Sequence, residues 1–372
     1  MKIVIWGKTE EAIKTYESLK KHYEIVGFGE NNLGHAGDII CEHEVLSCFK
    51  VKELYQKNAV EAIVIPGTYG EKTVKGIVRS LQQLEILTKD IYIQPFNAVK
   101  EKRNEIVKWE ELIHLYSLNV KVAEHCNLNC RRCNNFSNII RESFYDIIQF
   151  EKDIKRLSEL VENISCIKLI GGEPLLNKDI DKFVIITRKY YPHAAINVVT
   201  NGTLVLQLDE KVMECFREHG VCIQMTLYPV MQAQIDNIIK WIKKHKVKCE
   251  IFRDGDGFGA FINLKGNNDK KLVEGREFYG KCVSMCNGQI CRCGPGMTVN
   301  YFNEKFAVSL PDNGCIDLHG NDLTGSKLID LLNQSIDLCG YCDACLPIEG
   351  RKMHRWERCI TRDSELEDYL IY

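Results

Sequence analysis

The sequence predicts an α/β chain in three parts: an N-terminal Rossmann-like domain, a partial (βα)6 barrel and a small cysteine-rich C-terminal domain. Three observations carry that reading. Short apolar runs alternate with helix-periodic stretches from the N-terminus to residue 251, the pattern of parallel sheets covered by helices. Glycine and cysteine become frequent from about residue 275. Cys126, Cys130 and Cys133 form a C-x3-C-x2-C cluster just past one predicted strand.

A length of 372 residues leaves room for two or three domains, and 45% hydrophobic residues suffice for ordinary cores. The net charge is −2 with no long basic run, so no nucleic-acid partner is expected. The apolar stretch at residues 1–7 is too short for a signal peptide. No run of about 18 apolar residues occurs, so no membrane span is expected. Eighteen cysteines in a large chain without an export signal point to metal rather than disulfides, and to a reducing, cytoplasmic setting.

The first domain is expected over 1–98. Residues 2–5, 24–28, 62–65 and 91–93 read as strands, with helices at 10–21 and 72–84. Strand ends at Gly7, residues 27–32 and Pro66-Gly67 would share the edge where such sheets bind ligands. The dinucleotide fingerprint is absent, because Gly7-Lys-Thr-Glu-Glu-Ala12 follows the first strand. A nucleotide-sugar or carrier module and an empty scaffold or dimerisation domain both remain open. Residues 95–115 read as a linker passing into a helix.

The barrel is expected over 115–274. Strands at 118–122, 167–170, 196–199, 221–226 and 247–251 alternate with helices at 146–161, 180–190, 209–219 and 232–245. Barrels bind ligands at the C-terminal strand ends. The cysteine loop, Gly171-Gly172-Glu173-Pro174, Thr200-Asn201-Gly202 and Thr226-Leu227-Tyr228-Pro229 all fall there. Over 275–372 short strands and turns are expected, with a helix only at 327–332. A domain this small and cysteine-rich usually folds around metal.

Three thiolates on an iron–sulfur cube leave one iron open to a small molecule. The alternative is a zinc knuckle completed by a residue such as His125, since structural zinc takes four ligands. Gly171 and Gly172 would let backbone approach a ligand, and Glu173 offers a carboxylate to an ammonium group. Asn201 both donates and accepts hydrogen bonds, although Asn-Gly is also a common turn pair. Cys41, Cys48, Cys166, Cys215, Cys222 and Cys249 sit in apolar patterns and read as small hydrophobes.

The C-x3-C-x2-C cluster together with Gly171-Gly172-Glu173-Pro174 resembles the signature of the radical S-adenosylmethionine (SAM) superfamily. The resemblance implies a [4Fe–4S] cluster on Cys126, Cys130 and Cys133. It also implies SAM held near Gly171, Gly172, Glu173, Pro174, Thr200 and Asn201. Arg132 departs from the pattern, standing where the family often has an aromatic residue. The C-terminal cysteines resemble the twitch or SPASM extensions that hold auxiliary clusters. One auxiliary [4Fe–4S] cluster is then expected on Cys286, Cys293, Cys339 and Cys342, with Cys282, Cys315 and Cys345 in reserve; a structural zinc on the same cysteines is the alternative.

Cys133-Asn-Asn-Phe136-Ser137, Val199-Thr-Asn-Gly202 and Thr226-Leu-Tyr-Pro229 are similar to the superfamily branch found in polysaccharide and glycan gene clusters. That branch implies hydrogen abstraction by a 5′-deoxyadenosyl radical from a sugar, aminocyclitol or nucleotide-linked glycan precursor, giving oxidation or epimerisation. It also implies an external one-electron reductant of flavodoxin or ferredoxin type. A peptide-modifying maturase is the alternative enzyme, and a metal scaffold or sensor the non-catalytic one. No general acid or base is assigned; Tyr228 and Glu124 lie at strand ends and read as structural.

Overall fold

The structure, a computed structural model, describes residues 1–253, 257–266, 269, 282–345, 353–359 and 364–371. The expected boundary at 274/275 lies outside them. The chain divides into two units, Met1–Tyr116 with Glu162–Ser165, and Ser117–Val161 with Cys166–Tyr372. None of the described helices is long and apolar enough to cross a membrane.

The first unit carries strands β1 (Lys2–Trp6), β2 (Glu24–Glu30), β3 (Ile39–Ile40), β4 (His43–Ser47), β5 (Ala62–Pro66), β6 (Ile91–Gln94) and β7 (Val107–Lys108). Helices α1 (Glu10–Leu19), α2 (Cys48–Gln56), α3 (Glu71–Gln83) and α4 (Phe96–Glu101) connect them. The sheet order is β3-β4-β2-β1-β5-β6-β7, with β1 parallel to both β2 and β5. Alternate residues of β1 enter opposite cores: Ile3 and Ile5 pack with Phe28 and Val64, whereas Val4 and Trp6 pack with Ile63 and Ile65. Burial on both faces explains the continuous apolar runs. The stretch at 95–115 is not a plain linker: it forms α4 and then β7, an antiparallel edge strand on β6.

At the end of β1, Gly7 adopts a positive φ of 113°, and a Cβ there would meet the Tyr69 hydroxyl at 2.1 Å. That hydroxyl donates to the Trp6 carbonyl oxygen (3.1 Å) and hydrogen-bonds the Thr9 hydroxyl (2.8 Å). Tyr69 thus packs against the end of β1, one of the strand ends expected to face a ligand.

The second unit is built on an eight-stranded sheet. Its strands are β8 (His114–Ala123), β9 (Asn163–Gly171), β10 (Ala195–Thr200), β11 (Cys222–Thr226), β12 (Lys248–Phe252), β14 (Ser284–Cys286), β15 (Gln289–Cys291) and β16 (Cys315–Asp317). The order is β12-β11-β10-β9-β8-β14-β15-β16. Helices α5 (Ile147–Leu160), α6 (Ile180–Tyr190), α7 (Glu210–Glu218) and α8 (Ile235–His245) alternate with the first five strands. β13 (Gly257–Gly259) pairs separately with β17 (Met353–Arg355).

The cysteine-rich region extends this sheet rather than standing apart from it. β14 lies parallel to β8, with Ser284 opposite Asn119, and β15 and β16 continue outward as antiparallel strands. Two helices follow, α9 (Gly294–Phe306) and α10 (Gly325–Asn333). The sequence predicts only the second. Gly294-Pro295-Gly296 reads as a turn, but Cys293 caps the helix through its thiol and Pro295 sits in its first turn, where proline costs no hydrogen bond.

Asp153 fastens α5 to the β14–β15 hairpin. It is fully buried and accepts from Tyr145 Oη, Gln149 Nε2 (2.7 Å), His319 Nε2 (2.7 Å) and the Gly288 amide (2.6 Å). Removing a buried acceptor strands its donors. Asp153→Ala is expected to destabilise this unit by about 3 kcal/mol, lowering its Tm by roughly 5–10 °C in calorimetry.

In the first unit, burial pushes the His114 imidazole down to about 4, and its Nε2 hydrogen-bonds Ser165 Oγ at 2.9 Å. The unfolded chain therefore takes up a proton that the folded unit refuses. Stability is full above the unfolded value of about 6.5 and is lost as pH falls toward 4, by about 3 kcal/mol. His114→Gln should flatten that loss in denaturant titrations across the window.

Candidate active site

The cysteine loop leaves β8 and runs through three residues with left-handed backbone, Asn129 (φ 48°), Arg132 (φ 63°) and Phe136 (φ 57°). Asparagine tolerates that region; arginine and phenylalanine adopt it at a cost of order 1 kcal/mol each. Packing holds them there. Phe136 is fully buried, with ring centroids 4.8 Å from Phe302, 5.5 Å from Tyr369 and 5.6 Å from Phe261. Arg132 pairs with Asp368 (3.4 Å) and Glu357 (3.6 Å), which gives its departure from the aromatic pattern a structural use.

Cys126, Cys130 and Cys133 line a cavity of about 230 Å³ together with Gly171, Gly172, Thr200, Asn201, Thr226 and Tyr228. The strand-end segments expected to converge do so. Burial pushes the Cys126 thiol up to about 12 and the Cys130 thiol well above its usual range. Such thiols stay protonated until a metal takes the proton's place.

The donor set fits an iron–sulfur cluster with one open iron. No histidine lines the cavity among the described residues. The His125 ring instead accepts from the Ser143 amide through Nδ1 (3.1 Å), so the proposed fourth zinc ligand is engaged elsewhere.

The two glycines are required by the fold itself. A Cβ on Gly171 would meet the Ala123 carbonyl oxygen at 1.7 Å, and one on Gly172 the His125 oxygen at 2.3 Å. Their freedom lets β9 close onto the end of β8, which in turn brings their backbone to the cavity wall.

Glu173 does not face the cavity. It is fully buried and accepts from Leu175 N (3.0 Å), Thr200 Oγ1 (2.7 Å) and Asn201 N (2.8 Å). Burial raises its carboxyl to about 7 against the pull of those donors. In this structure its oxygens are engaged by the turn that carries Thr200 and Asn201. Pro174 is likewise buried, beginning a short 3-10 turn behind the wall. Thr200 and Asn201 do line the cavity. Asn201 Nδ2 donates to Asn127 Oδ1 (3.0 Å) and to Cys126 Sγ (3.5 Å), so the turn held by Glu173 reaches a cysteine of the loop.

A second cavity, about 240 Å³, is lined by Cys282, Cys293, Cys339, Cys342 and Cys345, with Asn119 and Arg292. Asn134, Asn135 and Ile170 line both cavities. Cys286 is not among its lining residues: its thiol donates to the Lys121 carbonyl oxygen at 3.5 Å. Cys286 is the last residue of β14 and is buried. Cys315 opposes Cys291 across β15 and β16 and donates to the Gly296 carbonyl oxygen (3.6 Å). The C-terminal thiols thus sort into a cavity-lining set that includes Cys282 and Cys345, and a strand set that includes Cys286 and Cys315. Of the remaining cysteines, Cys48 and Cys215 are buried, while Cys41, Cys166, Cys222 and Cys249 are half-buried.

Glu124 is buried and accepts from Ser143 Oγ (3.1 Å) and Tyr301 Oη (2.9 Å). Tyr228 lines the first cavity beside Phe258 and Trp356, with ring centroids 6.2 and 6.1 Å away. Sequence reasoning missed Asn127, Asn134, Asn135 and Trp356. The crowding of asparagine in 127–138 was a usable signal for the first three; nothing local marked Trp356.

Residues 120–248, which carry the cysteine loop, the glycine-lined strand end and the asparagine turn, match the Radical SAM superfamily. The chain carries an enzyme domain of that superfamily, whose cofactors are a [4Fe–4S] cluster and SAM. Among curated relatives, GTP 3′,8-cyclase of Sulfurovum sp. is 29% identical over 176 residues, 43% of this chain and 50% of that protein. GTP 3′,8-cyclase of Aliarcobacter butzleri is 32% identical over 173 residues, again 43% of this chain and 50% of that protein. The chain spans about half the length of these relatives. Among solved structures, BtrN in complex with AdoMet and 2-DOIA is 17% identical with a TM-score of 0.38, covering 64% of this chain and 97% of that one.

Glu173→Gln places an amide N–H against the donors of residues 175, 200 and 201, and should release the turn at Asn201. SAM affinity measured by equilibrium dialysis on the reconstituted protein is expected to fall about tenfold, the equivalent of about 1.4 kcal/mol, with iron content retained.

Proposed function

We propose that this chain is a radical SAM enzyme acting on a polar small molecule, a sugar, aminocyclitol or nucleotide-linked glycan precursor. The observation that carries the reading is the convergence of Cys126, Cys130 and Cys133 with Gly171, Gly172, Thr200 and Asn201 on one cavity. Bound there, the cluster and SAM supply a 5′-deoxyadenosyl radical that removes a hydrogen atom from an unactivated C–H bond. The chain's own residues bind and orient. The Asn201 turn is fixed from behind by Glu173, and Tyr228 with its aromatic neighbours covers one side of the cysteines.

The adjoining cavity is the proposed seat of one auxiliary [4Fe–4S] cluster in a twitch-like extension. Cys282, Cys293, Cys339 and either Cys342 or Cys345 are the proposed ligands, since they line it and Cys286 does not. Asn119, Asn134, Asn135 and Arg292 give polar walls suited to a hydroxylated substrate between the two sites. An external one-electron donor of flavodoxin or ferredoxin type is the proposed reductant. The filled strand end at Gly7 and Tyr69 favours a scaffold role for the first unit over a nucleotide handle.

A nucleotide substrate is the second reading, supported by the names of the curated relatives, GTP 3′,8-cyclases. Anaerobic assays with SAM and a reductant, fed GTP in one arm and sugar-nucleotide and aminocyclitol pools in the other, separate the two. Substrate-dependent 5′-deoxyadenosine in the sugar or cyclitol arm alone is the expected result. Its appearance only with GTP favours the second reading, and its absence above a Cys126→Ala control in every arm removes the enzymatic one.

Metal content tests the ligand assignment. Two cubes give about eight irons per chain. Cys293→Ala or Cys339→Ala should leave about four, whereas Cys286→Ala should leave all eight, as counted by iron and sulfide assay after anaerobic reconstitution.

A further inference from the structure

The segment carrying β17 lies along the cysteine loop and meets it with backbone hydrogen bonds in both directions. Arg131 N donates to the Glu357 carbonyl oxygen (2.9 Å), and Cys359 N donates to the Asn129 carbonyl oxygen (2.8 Å). Arg358 Nη2 adds a bond to the Asn127 carbonyl oxygen at 3.1 Å. Held by these contacts, Trp356 donates its indole N–H to Cys130 Sγ at 3.1 Å. Its ring packs with Tyr228 over Cys126, Leu128 and Cys130.

We propose that Trp356 is a positioning residue that sets the reduction potential of the cluster on Cys126, Cys130 and Cys133, acting through its indole N–H on the Cys130 sulfur. The inference rests on that loop holding a cluster, as proposed above. An indole N–H is a donor only, so its one polar role here is to give a hydrogen bond to sulfur. Reduction adds negative charge to a cluster and its thiolates. A donor aimed at one of those sulfurs stabilises the reduced form more than the oxidised one, and the potential becomes less negative. Cys126 is served differently. Cys126 Sγ accepts long contacts from the Leu128 amide (3.4 Å) and from Asn201 Nδ2 (3.5 Å), the latter belonging to the proposed SAM-binding turn. Cys130 is the sulfur whose donor comes from outside the barrel strand ends, from a stretch 226 residues further along the chain.

The test is an EPR-monitored redox titration of the full-length reconstituted protein, following the signal that shifts when SAM is added. That signal and the iron and sulfide count in the unmodified protein test the cluster itself, separately from this inference. Trp356→Phe keeps the aromatic cover and deletes the donor. It is expected to shift the midpoint potential to a more negative value, with metal content unchanged. Arg358→Gln removes one side-chain bond of the segment while its two backbone bonds to the loop keep the indole in place, and is expected to leave the potential where it was. An unchanged potential in Trp356→Phe overturns the proposal. Equal shifts in both variants, or loss of the cluster in Trp356→Phe, also overturn it, because the role is then one of seating the segment.

Discussion

The packing of Phe136 is the constraint from which the site's geometry follows. A three-cysteine loop that must curl around a polyatomic cluster cannot run as regular strand or helix. Here it places Asn129, Arg132 and Phe136 in left-handed backbone. Strain of that kind persists only where the surroundings over-determine it. Phe136 supplies much of the restraint by burying its ring among Phe261, Phe302 and Tyr369, which lie in stretches far from it in sequence. Asn138 adds hydrogen bonds to Ser364 Oγ (2.6 Å) and the Tyr369 hydroxyl (2.9 Å). The loop's shape thus depends on the C-terminal third of the chain being folded, and the cysteine-rich region serves the first site as well as the second.

The strand end opposite the loop works by a different economy. Gly171 and Gly172 are needed because carbonyl oxygens of Ala123 and His125 occupy the space a Cβ would take. Once β9 is that close, Glu173 points away from the cavity into a pocket of donors. A buried carboxyl with three donors is a rigid fixture. It sets Asn201, which binds Asn127 and approaches Cys126. At this strand end Gly171, Gly172, Thr200 and Asn201 line the cavity, and Glu173 bonds the last two.

Much of this was legible in the sequence, for identifiable reasons. Period-two and period-3.6 patterns are local, so the strands from β8 to β12 and the helices between them fall close to where the apolar runs place them. The convergence of strand ends follows from parallel winding alone. What local pattern could not show was pairing at a distance. β14 has three residues, too few to display a period, and it joins β8 from more than 160 positions away. α9 opens on Gly-Pro-Gly, a turn signal until Cys293 is known to cap it. Glu173 is chemically suited to an ammonium group and to a cage of amide donors alike. The contacts of its oxygens with Thr200 and Asn201 come from another strand end and leave no local mark in the sequence.

The placement of β14 also explains why two cysteine-lined cavities share a wall. Pairing Ser284 with Asn119 lays the cysteine-rich region along β8, the strand whose far end carries the first cysteine loop. Cys282 just before β14 and Cys293 just after β15 are thereby fixed to the same sheet as Ile170. Lys121, on β8, is fully buried, with its side-chain nitrogen reaching the Gly294 carbonyl oxygen at 3.4 Å. Burial lowers its pKa, while Glu124 and then the thiols of Cys286, Cys133 and Cys293 favour its charge. A cation in that position is costly without anions on both sides. Glu124, three residues further on, supplies the first of those compensating charges.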